Sequence, residues 1–174
     1  MTENIQIRPA GAGDISLLER LFPQGSAEKH VRRLVRQQNG SAVYLIAFLA
    51  EMPVGHLLLK LDRARDEAVR ANCPDLEDLF VHEEYRQQGI ATQLLLHAED
   101  LARQRGYAEI GLAVGLDNPD ARRLYERLGY REAGFGAYRV HGMYVDEQGA
   151  LCTWEEECVY LVKNILYLPE KKSR

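Results

Sequence analysis

A mixed α/β fold, with elements in the order βααβββαβαββ, is what the sequence predicts, and three observations predict it. Between Leu76 and Gly106 the apolar period changes from two to about 3.6: Leu79-Phe80-Val81 reads as a strand, and Ile90, Leu94, Ala98 and Leu101 form a helix stripe. Val43 to Ala50 is almost wholly apolar, as a strand buried on both faces would be, and Val54 to Leu61 returns as its hairpin partner. Asn118-Pro119 then opens a helix between two strand-like runs, with Asn at the cap and Pro at the first helical position.

Each element follows from local pattern. Ile5 to Arg8 alternates and stops at Pro9, a first strand. Asp14 is the expected cap of a short helix carrying Ile15, Leu18, Leu21 and Phe22, ended by Pro23. Ser26 is the expected cap of the next, with Ala27, Val31, Leu34 and Val35 inward and Arg32, Arg33 and Arg36 outward as a solvated face. Asn39-Gly40 ends it, and Glu51-Met52-Pro53 turns the central hairpin. Asp62 to Cys73, charged and aperiodic, reads as a loop. Tyr107 to Leu116 is a strand with Ile110, Leu112 and Val114 on one face. After it, Ala121, Leu124, Tyr125 and Leu128 make the inward stripe of the last helix, stopped by Gly129. Two strands, Arg131 to Val145 and Glu157 to Leu166, close the fold about a turn at Asp146 to Gly149.

Composition bounds the function. The 174 residues are expected to form one domain, 1–174, with a frayed polar tail at 169–174. Apolar residues are 46% and charged residues 28%, ordinary for a globular chain, and the net charge of −4 argues against nucleic acid as a partner. No apolar run approaches the ~20 residues of a membrane span, and the N-terminus lacks a secretory segment, so no membrane partner is expected. Cys73, Cys152 and Cys158 are an odd number without ligand spacing, and the histidines at 30, 56, 82, 97 and 141 show no HxxxH. No metal is expected, and the location is expected to be cytoplasmic.

The turn from His82 to Ala91 concentrates binding potential. A strand feeding a helix through a tight turn presents unpaired backbone N–H groups at one point, where the helix dipole favours an anion. Gly89 lets a ligand approach the backbone, Ala91 is small, and Arg86 offers a bidentate partner to phosphate. The alternative is an ordinary strand-turn-helix with a surface Arg; neither GxxxxGK(S/T) nor GxGxxG occurs.

The pattern (Q/R)xxGx(G/A), present as Arg86-Gln87-Gln88-Gly89-Ile90-Ala91, resembles the acetyl-CoA pyrophosphate loop of the GNAT N-acetyltransferase superfamily. Leu76 to Val81 resembles its fourth strand, and Asn118 to Ala121 with Leu124 to Tyr130 its second cofactor segment. Gln87 stands where many members carry Gly. The resemblance implies a mixed, mostly antiparallel GNAT-type sheet flanked by helices, in which strands four and five splay to admit the pantetheine arm. It implies an acetyl-CoA site made of Leu79, Phe80, Val81, the run Arg86, Gln87, Gln88, Gly89, Ile90, Ala91 and Thr92, then Asn118 and Tyr125.

Acetyl transfer needs a neutral amine and a proton for the departing thiolate. A carboxylate at its ordinary pKa of about 4 is ~6 units short of an alkylammonium near ~10, a gap of about 8 kcal/mol. Burial must raise that pKa, or water must intervene. Glu77 and Asp78 are the acidic candidates, unless they merely stay solvated. Regular alternation puts Glu77 with Leu79 and Val81, and Asp78 with Leu76 and Phe80, unless a bulge re-aims one. The resemblance places the base at Glu77 and the general acid at Tyr125, whose ordinary reading is a core tyrosine. It also implies that the last hairpin lines the acceptor pocket or a partner in a homodimer. Trp154-Glu155-Glu156-Glu157, near that hairpin, reads as a solvated loop. The expected function is acetyl-CoA-dependent N-acetylation of a small cationic amine, for which the acidic pair is suited and polyamine acetyltransferases show similar segments. The alternative is an acyl-CoA-binding module without catalysis.

Overall fold

A computed structural model describes residues 4–24, 28–62 and 72–166. The strands are β1 (Ile5–Pro9), β2 (Ala42–Leu49), β3 (Met52–Lys60), β4 (Asp75–Val81), β5 (Glu109–Gly115), β6 (Arg131–Glu132), β7 (Tyr138–Val145) and β8 (Leu151–Asn164). The helices are α1 (Ile15–Leu21), α2 (Lys29–Gln38), α3 (Ile90–Gln104) and α4 (Pro119–Arg127). All strands join one sheet ordered β1-β2-β3-β4-β5-β8-β6, with β7 paired to β8. Every pairing is antiparallel except β4 with β5. The expected order is met, except that the strand expected from Arg131 to Val145 is divided into β6 and β7, which pair with different parts of β8.

The apolar run of β2 is explained by helices on both sheet faces. Val43, Leu45 and Ala47 face a core shared with Ile90, Leu94, Leu95 and Ala98 of α3 and flanked by Leu124 and Tyr125 of α4. Tyr44, Ile46 and Phe48 face the opposite core with Leu18 and Phe22 of the α1 side. Glu99 lies buried in α3, accepting from the Tyr130 hydroxyl at 2.9 Å and the Lys163 ammonium at 2.6 Å. A buried carboxylate is tolerated only when paired in this way, and the pair ties α3 to β8.

Several local expectations need correction. Asp14 does not cap α1: its carboxylate accepts the Gly11 N–H at 2.7 Å and the Arg8 guanidinium at 2.7 Å. Val31 and Val35 of α2 are exposed, and His30 with Leu34 turns inward instead. His30 Nε2 donates to the Phe22 carbonyl at 3.0 Å, which leaves Nδ1 to accept from the Tyr44 hydroxyl at 2.7 Å. These two hydrogen bonds satisfy both ring nitrogens, which lets the polar ring sit in the core. Met52 and Pro53 already belong to β3, and the turn falls on Ala50, with φ +51°, and Glu51. Trp154 to Glu157 is not a loop but the middle of β8, paired with β7. The expected cap Ser26, with Ala27, most of the Asp62 to Cys73 loop and the tail lie outside the described residues.

Candidate active site

β4 and β5 pair only at Asp75 with Gly111 and at Leu76 with Leu112. Beyond Leu76 the two strands part, as the resemblance implies. The separation coincides with a bulge: Leu58 faces Glu77 and His56 faces Phe80, so the β3 register slips by one residue between them. Asp78 takes up the extra residue with φ +54°. Opposed residues share a face, so Glu77 lies with Phe80, Leu58 and His56. This corrects the regular alternation, which would have set Glu77 with Leu79 and Val81. A non-glycine residue at positive φ costs about 1 kcal/mol or more, and ion pairs on either side hold it. Asp78 accepts from Arg33 of α2 at 2.6 Å, and Glu77 accepts from Lys60 of β3 at 2.6 Å.

Arg33 is thus no solvated residue. Its side chain is 11% exposed, and Arg36 beside it pairs with Asp62 at 2.8 Å. The arginine cluster forms a wall of a cleft of about 630 Å³, whose other walls are β4 and the β7–β8 hairpin. On the far side of the bulge, a cavity of about 330 Å³ fills the gap between β4 and β5. Glu77, Asp78, Leu79 and Trp154 border both spaces.

Tyr125, Glu77 and Asp75 line the smaller cavity, together with Asp78, Glu156 and Cys158. Tyr125 reaches it from α4, with burial holding its phenol pKa above the ordinary value. The ring packs edge-on to Tyr130, centroids 6.0 Å apart, and among the described residues the hydroxyl has no hydrogen-bond partner. Glu77 is the second group. Asp75 is the third, and sequence reasoning missed it. It is 7% exposed, and its pKa is raised to about 7 by burial first and by the Glu77 charge second. The Tyr160 hydroxyl donates to it at 3.0 Å, and Lys60 Nζ lies 4.0 Å away. Gly111 is required for this contact, because a Cβ there would come within 2.4 Å of the Tyr160 oxygen. The available signal was its place two residues before Glu77, at a strand start, where alternation puts both on one face.

The turn after β4 has the geometry its sequence suggests. Gly89 caps α3 at φ +79°, and Gln87 also has positive φ, at +62°. That explains why glycine suits both positions. The first N–H groups of the 15-residue helix, from Ile90, Ala91 and Thr92, point out of its end without intrahelical acceptors. Arg86 Nε donates to the Val81 carbonyl at 3.0 Å, with the guanidinium over the Phe80 ring, while Gln88 stays exposed. The side of β4 that would face β5 at Leu79, Phe80 and Val81 carries no ladder to that strand. Asn118 caps α4 by accepting the Ala121 N–H at 3.2 Å. His82 sits against the Tyr85 ring, its Nδ1 buried without a partner. Among the described residues no cluster could hold a metal ion, and no helix is long and apolar enough to cross a membrane.

Residues 15–130 match the sequence profile of the acetyltransferase (GNAT) family. The chain belongs to that family. It is 31% identical to human N-acetyltransferase 8 over 62% of its own length and 42% of the relative's. It is 27% identical to aminoglycoside N(6′)-acetyltransferase type 1 of Serratia marcescens, over 68% of this chain and 83% of that one. The chain spans less than half the length of the first curated relatives it matches, 42%, 39% and 49%. Among solved structures, PaiA N-acetyltransferase of Thermoplasma acidophilum in complex with coenzyme A has the same fold. Its TM-score is 0.61 at 19% identity, over 92% of this chain and 99% of that one. The acetyl-CoA of this family is the group that the turn at Gly89 and the gap between β4 and β5 suit.

Proposed function

We propose that this GNAT chain is an enzyme that moves an acetyl group from acetyl-CoA directly to a primary amine of a small molecule. The observation that carries the reading is the meeting of Tyr125, Glu77 and Asp75 at one cavity where β4 and β5 separate. The turn from Arg86 to Thr92 would hold the pyrophosphate. The open edge of Leu79, Phe80 and Val81 would receive the pantetheine amides as an added strand. Asn118, by fixing the start of α4, would hold Tyr125 in place.

The residues divide the proton work. Tyr125 carries a proton at neutral pH, since burial raises its pKa, and gives it to the departing thiolate. The acceptor ammonium must lose its proton before it attacks the thioester carbonyl. Asp75, at about 7, lies only ~3 units below an alkylammonium near ~10, which halves the roughly 8 kcal/mol gap facing an ordinary carboxylate. Glu77, bordering both spaces, is placed to hold the ammonium and pass the proton inward through water. Glu77 as base and Tyr125 as acid accord with the family resemblance, and Asp75 extends that pair.

The test is release of coenzyme A thiol from acetyl-CoA across a panel of amines, with cofactor binding measured alongside by calorimetry. Thiol release stoichiometric with an acetylated amine supports the enzyme. Tight acetyl-CoA binding without release for every amine would leave the binding-module reading.

A further inference from the structure

Trp154 is the only tryptophan of the chain, and it borders both the larger cleft and the smaller cavity. It lies opposite Gly142 in the β7–β8 ladder. A Cβ at Gly142 would come within 2.6 Å of the indole Nε1 and 2.8 Å of Cε2, so the glycine lets the ring lie directly across β7. Alternation along β8 puts Trp154 on the face of Glu156 and Cys158, which line the smaller cavity with Val140 of β7. The ring is thus on the side of the ribbon turned toward the gap between β4 and β5, yet the residue is 45% exposed. Burial in a core does not account for an aromatic side chain held in this way. Beyond it the larger cleft offers apolar surface at Leu58, Phe80 and Tyr144. Glu77, which borders both spaces as Trp154 does, is the carboxylate already given to the ammonium.

Resting on the transferase reading above, we infer that Trp154 is a specificity-determining residue: its exposed indole is a platform for a flat aromatic body, and the acceptor is an arylalkylamine. The ammonium lies at Glu77, a short alkyl link leads away from it, and the aryl group leaves water against Trp154. Paired aromatic rings gain stabilisation beyond the area they bury, which a saturated ring of the same size does not. A linear diamine would bring a second ammonium to an apolar wall, at a cost in desolvation. A tryptophan set over a glycine also supports a ribbon by packing alone. The choice between aryl and saturated acceptors is a property that packing alone does not move.

The experiment compares kcat/KM for phenethylamine, cyclohexylethylamine and a diaminoalkane of similar length, each corrected for its fraction of neutral amine. The aryl acceptor is expected to exceed the saturated one by about two- to tenfold. Trp154→Leu and, separately, Gly142→Ala, which displaces the ring while keeping it, are expected to bring that ratio toward one. Trp154→Phe is expected to keep part of it. Indole emission is an independent readout, since this one ring supplies it. Phenethylamine is expected to shift it to the blue, saturably, as the ring leaves water. A wild-type ratio near one, a diamine that reacts as fast as phenethylamine, or a ratio unchanged in both Trp154→Leu and Gly142→Ala would overturn the inference while leaving the transferase intact. So would a loss in Trp154→Leu shared equally by all acceptors with a lower melting temperature, which would make Trp154 a packing residue of the ribbon. Absence of thiol release with every amine would instead remove the transferase reading. The platform would then be decided by the emission alone, a saturable shift upholding it and an unmoved spectrum overturning it.

Discussion

At the residue scale, Asp75 and Tyr125 make separable claims. A carboxyl held at about 7 by burial sits where a proton acceptor serves neutral-pH chemistry better than an ordinary acid does. Asp75→Asn keeps the shape and can still accept the Tyr160 hydrogen bond, but cannot take a proton. It is expected to lower kcat/KM about 10²–10⁴-fold at neutral pH and to recover in part as alkaline pH deprotonates the amine. A parallel Glu77→Gln series decides between the two acids. A larger loss there, with Asp75→Asn near wild type across the pH range, would return the base to Glu77. Tyr125→Phe deletes a hydroxyl that has no partner among the described residues. It should lower kcat while moving stability by less than about 0.5 kcal/mol. A large drop in melting temperature with a proportionate loss of activity would make Tyr125 a core residue only.

At the element scale, the turn between β4 and α3 is the part of the site most legible in the sequence. Gly89 marked a tight turn open to a ligand, and the structure gives it φ +79° at the start of α3. Open space surrounds the position a Cβ would take there. A Cβ at Gly89 meets nothing within 4 Å among the described residues, so the expected cost of Gly89→Val to folding is backbone strain of about 1–2 kcal/mol. The larger expected effect is on acetyl-CoA, since the new side chain projects where the pyrophosphate would approach. Normal calorimetric affinity in that variant would move the cofactor elsewhere. Arg86→Ala should weaken binding by about 1.5–3 kcal/mol, the worth of a charge-assisted contact. What the sequence hid has one physical cause, which is tertiary override of local pattern. The bulge at Asp78 needs positive φ at a residue that gives no turn signal, and its ion pair with Arg33 forms across 45 positions of chain. That same pair draws Arg33 inward and leaves Val31 and Val35 outside. Trp154 to Glu157 reads as solvated because Thr153, Trp154 and Glu155 in this half of β8 are exposed on both faces, yet the β7 ladder holds it. Burial of Asp75 depends on Tyr160, which is 85 residues away.

At the scale of the whole molecule, one face of the sheet buries titratable groups of opposite preference, and stability against pH reports their sum. On the α2 face His30, with its pKa lowered to about 4, and His56, lowered well below 6.5, are buried neutral, chiefly by desolvation. Their stabilisation is present above the unfolded histidine pKa and is lost as pH falls. Asp75 behaves in the opposite sense. Its native pKa, about 7, lies above the ordinary 3.8, so its contribution is full at low pH and is lost as pH rises toward 7. Between pH 5 and 6 the unfolded chain holds two histidine protons that the native chain lacks, and the native chain holds one aspartic proton that the unfolded chain lacks. The difference is one proton, so stability should rise with pH by about 1.4 kcal/mol per unit. Asp75→Asn removes the opposing group, and the slope should steepen to roughly 3 kcal/mol per unit in that window. Urea unfolding at half-unit intervals from pH 5 to 6.5 measures both slopes. An unchanged slope in the variant would mean that Asp75 titrates near its ordinary value, and it would remove the argument for Asp75 as the proton acceptor.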